Sequence, residues 1–379
     1  MAFTFVHTAD WQIGKPFGNV DPAAAGVLQE ARFEAIERVG RAAAASGAHH
    51  VVVAGDVYDA QNLPPGLVRR ALSAMARFPA ISWHLLPGNH DPARTGGFWY
   101  RLAAAGLPAN VHPILEAAPV VMETGAVLLP APLKSRTAGA DPTAWMDAAA
   151  TPEGTIRIGL AHGSVRRFSS TEESPVEIAP DRARRSGLSY LALGDWHGCV
   201  RINERTWYSG TPEQDRFMDN EAGFALVVRC EGAGADPHVE RVRTGRFHWL
   251  KRAIVVRDAG DLDEIDRDIA ACGARPEDIL LRLELSGRLS LTRHQGVTRW
   301  IEELADRHLR HVEADLDRLL LAAGEDEALA ELGPAGELGQ AARRLMAIAA
   351  DEGDPRSAVA AAALVRLSEF AALVRKEAE

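Results

Sequence analysis

Between residues 1 and 230 short apolar runs recur, and most are nearly unbroken: "HHVVVAGD", "ISWHLLPGNHD", "GAVLLPAP", "TIRIGLAHG", "SYLALGDWHG" and "GFALVVRC". A strand with one wet face alternates apolar and polar residues, whereas an unbroken run is the pattern of a strand covered on both faces. Stretches with helical spacing lie between some of the runs, notably Gln29 to Ala45 and Pro65 to Ala76. The alternation of strand and helix predicts an α/β layered domain over residues 1–250.

The pattern changes after Lys251. "RAIVVRD" reads as a strand, and "DLDEIDRDIAACG" as a helix with Leu262, Ile265 and Ile269 on one face. Asp261 is placed to cap that helix, with Glu264 closing a capping box. "DILLRLELSG" alternates like a strand, "VTRWIEELADR" is helical and "HLRHVEAD" extended. These make a small α+β unit over residues 251–320. Residues 321–379 are Ala-rich and predict a helical tail of two helices, the second opened by Asp354 as cap and Pro355 at its first position. Val359, Ala363, Leu364, Leu367, Phe370 and Val374 form one apolar stripe, and Leu338, Leu345 and Ile348 another. The stripes suit packing on each other or on a partner helix.

Composition narrows the class of protein. With 379 residues and 47% apolar content, the chain can bury a substantial core. No run approaches the roughly 20 apolar residues needed to span a bilayer. The first residues enter a strand-like segment with no basic leader, which predicts no export signal and no membrane. Three dispersed cysteines, with no CxxC pair, fit a reducing, cytoplasmic setting and argue against a thiolate zinc site. A net charge of −10 excludes a general basic coat for nucleic acid, so any DNA contact needs local patches. "VRRF" with Arg166 and Arg167, and "DRARR" at 181–185, are such patches; a solvated face of local ion pairs explains them equally well.

The chemistry sits where strands end. Asp10 follows "FTFVHTA", and Gln12 comes two positions later. Asp56 follows "HHVVVAG", with Asp59 close behind; Asn89 and His90 follow "ISWHLLPG"; His162 ends "TIRIGLA"; Asp195 and His197 follow "SYLALG". In open α/β sheets the carboxyl ends of strands deliver side chains to one place. Carboxylates, an amide and imidazoles are the donors of a two-metal phosphoesterase centre, which needs two divalent ions about 3.5–4 Å apart and a bridging carboxylate. Such ions polarise a phosphate and lower the pKa of water, and an imidazole that is not a ligand can protonate the leaving oxygen. A single "GD" after a strand is ordinarily a turn, a single buried histidine ordinarily a core residue, and the "HH" at 49–50 is read that way or as a surface pair. Five such strand ends in one chain point to a site.

On these residues the sequence resembles the calcineurin-like metallophosphoesterases, whose motifs run D-x-H, GD-x-x-D, GNH(D/E), GH and GH-x-H. "HTADWQIGKPF", "GDVYD" without a following Arg-Gly, "GNHD" and "WYSGTPEQ" at 207–214 are similar to the SbcD and YhaO type, nuclease subunits of bacterial double-strand-break repair. The resemblance implies an αββα sandwich carrying the small α+β unit as a cap domain. It implies that Asp10 and His197 hold a first metal, Asp56 bridges, and Asn89 and His162 hold a second, while His90, oriented by Asp59, acts on the phosphate and leaving group. It further implies DNA as substrate, a homodimer, and a tail that docks on the coiled coil of an SMC-like ATPase of the SbcC or YhaN kind. The chain departs from the motifs at Gln12 and Asp195, each standing where the family has His. A Gln oxygen and a carboxylate still ligate hard cations, so Mn²⁺, then Mg²⁺, is expected ahead of Zn²⁺. A phosphatase or cyclic-nucleotide phosphodiesterase on the same fold, and a DNA-end scaffold with little catalysis, remain open.

Overall fold

A computed structural model describes residues 2–378, apart from 124, 167–175, 323–336 and 352. The chain divides into two compact units, the first comprising residues 1–215 and 219–247, the second 216–218 and 248–379.

The first unit contains two six-stranded sheets. One runs β14 (His238–Arg243), β13 (Phe224–Cys230), β1 (Phe3–Thr8), β2 (His50–Val53), β3 (Ser82–Leu85) and β4 (Val111–Pro113), with β1 to β4 parallel. The other runs β11 (Val200–Arg201), β12 (Thr206–Tyr208), β10 (Tyr190–Gly194), β7 (Ile156–His162), β6 (Ala126–Ala131) and β5 (Val120–Glu123), with β12, β10, β7 and β6 parallel. The short strands β8 (Ser164–Val165) and β9 (Glu177–Ile178) pair apart from both.

The unbroken apolar runs are explained by burial on both faces. Phe3, Phe5, Val52, Ile158, Leu160, Tyr190 and Ala192 meet between the sheets. Their neighbours Val6, Val51 and Val53 turn outward, into a layer with Ile36 and Val39 of α1 (Pro22–Ala45) and Leu72 and Met75 of α2 (Pro65–Ala76). On the far side Leu129, Leu191 and Leu193 pack with Met146 and Leu188, near α4 (Arg182–Arg185). The helix α3 (Phe98–Ala104) contributes Trp99 to the α1 and α2 layer. The architecture is the expected αββα sandwich. Helix α1 starts earlier than its apolar spacing suggests: Asp21 accepts from the amides of Ala23 and Ala24, and Pro22 occupies the first turn.

In the second unit β15 (His248–Val255), β16 (Ile279–Leu289) and β17 (His311–Leu321) form one parallel sheet. The helices α5 (Asp263–Ala271) and α6 (Leu291–Asp306) connect them and cover a core of Leu262, Ile265, Leu283, Leu285, Val297 and Leu304. The cap of this segment differs from the sequence expectation. Asp258 is the capping residue, and Asp261 closes the box, because a short 3-10 turn at Ala259–Leu262 precedes α5. The last two helices, α7 (Glu337–Ala349) and α8 (Ser357–Ala378), pack on each other and on Leu291 and Leu321. Leu345, Ile348, Leu364 and Leu367 take part in that contact, whereas Leu338, Val359 and Phe370 are exposed; the side chain of Val374 lies outside the described residues. Helix α8 starts at Ser357, and Asp354 accepts from the Arg356 amide in the turn before it. Among the described residues no helix is long and apolar enough to cross a membrane.

Among the buried histidines of the first unit, burial favours the neutral ring most strongly at His7 and His84. His7 donates from Nε2 to the Leu193 carbonyl and meets the Tyr190 hydroxyl through Nδ1. His84 lies 3.0 Å from His50, the buried member of the "HH" pair. Burial lowers the pKa of both His7 and His84 from 6.5 to about 3. Between those values the unfolded chain takes up protons that the folded chain refuses, so stability is full above pH 6.5 and falls as the pH drops. Each of the two should contribute a slope of about 1.4 kcal/mol per pH unit. Urea unfolding of the wild type and of His84→Leu at pH 7, 6 and 5 should show the wild type losing more stability as the pH drops, by about one proton's share of the slope.

Candidate metal centre

The strand ends of both sheets converge. Asp10 and Asp56 follow β1 and β2, Asn89 and His90 follow β3, His162 ends β7, and Asp195 and His197 follow β10. The first two turns are laced backbone to backbone: the amides of Asp10, Gln12 and Ile13 donate to the carbonyls of Gly55, Asp56 and Val57, at 3.1, 2.8 and 3.0 Å. Asp10, Gln12, Asp56 and Asp195 all have left-handed backbones, with φ of 53°, 41°, 51° and 99°. Non-glycine residues adopt that region at a cost, and they persist in it where the surroundings over-determine them. Here the chain must turn sharply off a buried strand while aiming a side chain inward.

The glycines of the "GD" and "GN" motifs are explained by the same crowding. A Cβ on Gly55 would stand 2.2 Å from His162 Nδ1, and one on Gly88 would stand 2.1 Å from Asp56 Oδ1. Only glycine lets the strand ends approach this closely.

Asp10, Asp56 and His162 are buried, and each offers a ligand atom within 4.8 Å of the others. His162 donates from Nδ1 to the Ala54 carbonyl at 2.9 Å, which directs Nε2 towards Asn89 Oδ1 at 3.2 Å, Asp56 Oδ1 at 3.5 Å and Asp195 Oδ1 at 3.7 Å. Gln12 Nε2 lies 3.2 Å from His197 Nε2 and 3.5 Å from Asp56 Oδ2. The carboxylate of Asp10 accepts from the Asp195 amide, at 3.1 and 3.2 Å.

The electrostatics of the cluster follow from burial and crowding. Burial raises the Asp10 pKa to about 6, against the pull of His197 and His162, and raises that of Asp195 as well. Burial alone would lower the His162 pKa, but Asp56, Asp10 and Asp195 bring it up to about 9. Buried carboxylates without a counter-charge are costly, and a bound cation removes the cost. The donors fit divalent ions. Ligand atoms around a hard cation with bonds near 2.1 Å stand about 3 Å apart, close to the separations seen among Gln12, His197, Asp56, His162 and Asn89. The buried Gln12 Oε1 has no hydrogen-bond partner. Rotating the amide would present this oxygen to the same point as Asp56 and His197.

His90 stands at the rim, with its side chain 44% exposed and Nε2 3.9 Å from Asp56 Oδ2. Its Nδ1 bonds the Asp59 carbonyl at 3.1 Å, and the Asp59 carboxylate is 3.6 Å away. The Asp59 carboxylate outweighs partial burial, and with Asp56 and the Asp59 carbonyl it raises the His90 pKa to about 9. Asp91 belongs to the scaffold: it is buried and accepts from the amides of Tyr58 and Gly88, holding the two turns in register.

The "WYSGTPEQ" segment proves to be internal support. The Tyr208 hydroxyl donates to the Gly163 carbonyl and accepts from the Val165 amide, fixing the chain just past His162. The Thr211 amide donates to the His197 carbonyl. Glu213 accepts from Arg38 and from the amides of Arg246 and Phe247. Asp215, next to this segment in the chain, was not read as a site residue, yet it contacts His197 Nδ1 at 3.2 Å. The basic patches are largely neutralised: Arg166 pairs with Glu177 at 2.9 Å, Arg182 with Asp141 and Asp147, and Arg185 with Asp147. Arg167 lies outside the described residues.

A family model described as calcineurin-like phosphoesterase matches residues 3–199, slightly more than half of the chain. Among solved structures, TT1561 of Thermus thermophilus matches with 10% identity and a TM-score of 0.42, over 64% of this chain and 100% of that one. Purple acid phosphatase PPD1 from yellow lupin (Lupinus luteus) seeds matches with 13% identity and a TM-score of 0.39, over 64% of this chain and 52% of that one. No curated protein matches by sequence.

The packing makes a sharp expectation. Gly88→Ala should displace the Asp56 carboxylate and weaken divalent-metal binding at least 10-fold by calorimetry. Gly66→Ala, where a Cβ meets nothing within 4 Å, should leave it unchanged.

Proposed function

The chain belongs to the calcineurin-like phosphoesterases, metal-dependent hydrolases of phosphate esters, and from that premise we propose that it is a DNA phosphodiesterase, the nuclease subunit of an SbcCD-like repair complex. The observation that carries the phosphoesterase chemistry is the convergence of Asp10, Asp56 and His162, with Asn89, Asp195, His197 and Gln12 around them. In our reading Asp10, Gln12, Asp56 and His197 hold one ion, and Asp56, Asn89, His162 and Asp195 the other. When bound, such ions supply Lewis-acid polarisation of the phosphate and stabilise its developing charge. Mn²⁺ or Mg²⁺ suits this oxygen-rich set better than Zn²⁺.

The protein groups divide the remaining work. His90 is the residue at the rim that holds a proton at neutral pH, so it is our general acid for the leaving oxygen. Asp59 orients its ring, chiefly through the main-chain carbonyl. The finer assignment to DNA is supported by "HTADWQIGKPF" and by "WYSGTPEQ", whose residues brace His162 and His197. Arg166 and Arg167 are our candidate phosphate contacts, although Arg166 must leave Glu177 to serve. The exposed Leu338, Val359 and Phe370 are our candidate contact for the coiled coil of an SMC-like ATPase, and a homodimer is the proposed assembly.

With Mn²⁺, the protein should cleave labelled duplex or single-stranded DNA, alone or with its partner ATPase, and hydrolyse bis-p-nitrophenyl phosphate. Asp56→Ala should abolish both activities, and Gln12→His should raise activity at low Mn²⁺. Hydrolysis of phosphomonoesters or cyclic nucleotides without DNA cleavage would favour the small-substrate reading. Metal-free protein that binds DNA ends without cutting would favour a scaffold.

Replacing Leu338, Val359 and Phe370 together by Ser should leave the folded core intact and abolish co-purification with an SMC-like ATPase. Truncation is a poorer probe, because α7 and α8 also cover Leu291 and Leu321.

A further inference from the structure

Behind the ligands lies a buried charge cluster that the functional reading does not use. The Asp215 side chain is 1% exposed and that of Arg32, on α1, 2%. Arg32 donates through one terminal nitrogen to Asp215 Oδ2 at 3.2 Å and through the other to the Trp11 carbonyl at 2.6 Å. Trp11 is the residue between Asp10 and Gln12, so one guanidinium ties the first ligand turn to Asp215. Lys15, on the same turn, also pairs with Asp215. On its other side the Asp215 carboxylate meets His197 Nδ1, at 3.3 and 3.2 Å from its two oxygens.

A carboxylate held by two cations accepts hydrogen bonds and donates none. His197 Nδ1 must therefore carry the proton, and Nε2, which faces Gln12, presents a lone pair. Planar, two-pronged donation makes arginine suited to fixing two acceptors at a set angle, which a lysine at position 32 would not reproduce. The ligand turn "DWQ" and His197 stand 185 residues apart in sequence, between Gln12 and His197, and belong to different sheets. No backbone hydrogen bond of the kind joining the Asp10 and Asp56 turns connects Gln12 to His197.

We propose that Asp215, clamped by Arg32 and Lys15, is a positioning residue that sets His197 against the Asp10–Gln12 turn and thereby determines how tightly the first divalent ion is held. The proposal rests on the two-ion reading of the site and is independent of whether DNA is the substrate. The other candidate role, a buried ion pair that only stabilises the fold, predicts equal effects on both ions.

Mn²⁺ titration of the full chain, followed by electron paramagnetic resonance, separates these cases. The wild type should bind two ions. Asp215→Asn keeps shape and one acceptor oxygen but loses the charge that holds Arg32 and Lys15, so it should weaken one ion about 10- to 100-fold and leave the other unchanged. Unchanged binding of both ions, or equal weakening of both, would overturn the proposal. If the wild type binds no Mn²⁺, the reading of the site fails first, before any variant is made, and this inference falls with it. Should Asp215→Asn not fold, ¹⁵N-histidine spectra of the wild type with Mg²⁺ decide instead, with the His197 signals assigned from His197→Gln. The Nδ1 of His197 should be the protonated nitrogen; a proton on Nε2 would refute the arrangement.

Discussion

Three carboxylates crowded together, two of them out of water, are the constraint on which the rest of the first unit depends. Asp10 and Asp56 are almost wholly buried, and Asp195 stands beside them with His162 between. Burial raises the pKa of Asp10 and of Asp195, and the neighbouring carboxylates add to the rise. The surrounding structure holds the group together by covalent and hydrogen-bonded means. Four left-handed backbones, close approaches at glycine and a lattice of main-chain hydrogen bonds between turns all serve that end.

The sandwich supplies the rigidity this arrangement needs. β1, β2 and β3 are parallel neighbours in one sheet and β7 and β10 in the other, so their carboxyl ends face the same side of the first unit. Both faces of each sheet are packed, which fixes strand position to within the tolerance of close-packed side chains. Ligands on strand ends inherit that precision, and ligands on mobile loops would not. His90 is different in kind: its side chain is 44% exposed and bonds the Asp59 carbonyl, so it stands at the rim of the cluster rather than inside it.

A layer behind the candidate ligands holds their turns in place. Tyr208 fixes the turn after His162, Asp91 fixes the turns bearing Asp56 and Asn89, and Asp215 fixes His197. Gln12 stands where the motif that the sequence resembles has His. Gln12 still reaches His197 and Asp56 and has one oxygen left without a partner.

The sequence by itself determined the class of fold and singled out the strand-end residues that the structure brings together as candidate ligands. Unbroken apolar runs ending in Asp, Asn or His are local patterns, and burial on both faces with chemistry at the carboxyl end follows from them directly. The helical stripes of the tail were legible for the same reason, since period 3.6 is a local property. What faces each stripe was not: packing of Leu345, Ile348 and Leu364 with Leu321, against exposure of Phe370, is set by residues distant in the chain. The caps at Asp258 and Asp21 were missed or misplaced because a 3-10 turn and an Ala-rich first turn carry little apolar signal. In sequence "DRARR" suited DNA phosphates and local ion pairs equally; the partners of Arg182 and Arg185, Asp141 and Asp147, come from another segment. Only the tertiary structure decided that Arg32, one arginine among several on a helix, would be buried between Trp11 and Asp215. An ion pair joining residues 183 positions apart leaves no periodicity in the chain, because its energy depends on distance in space.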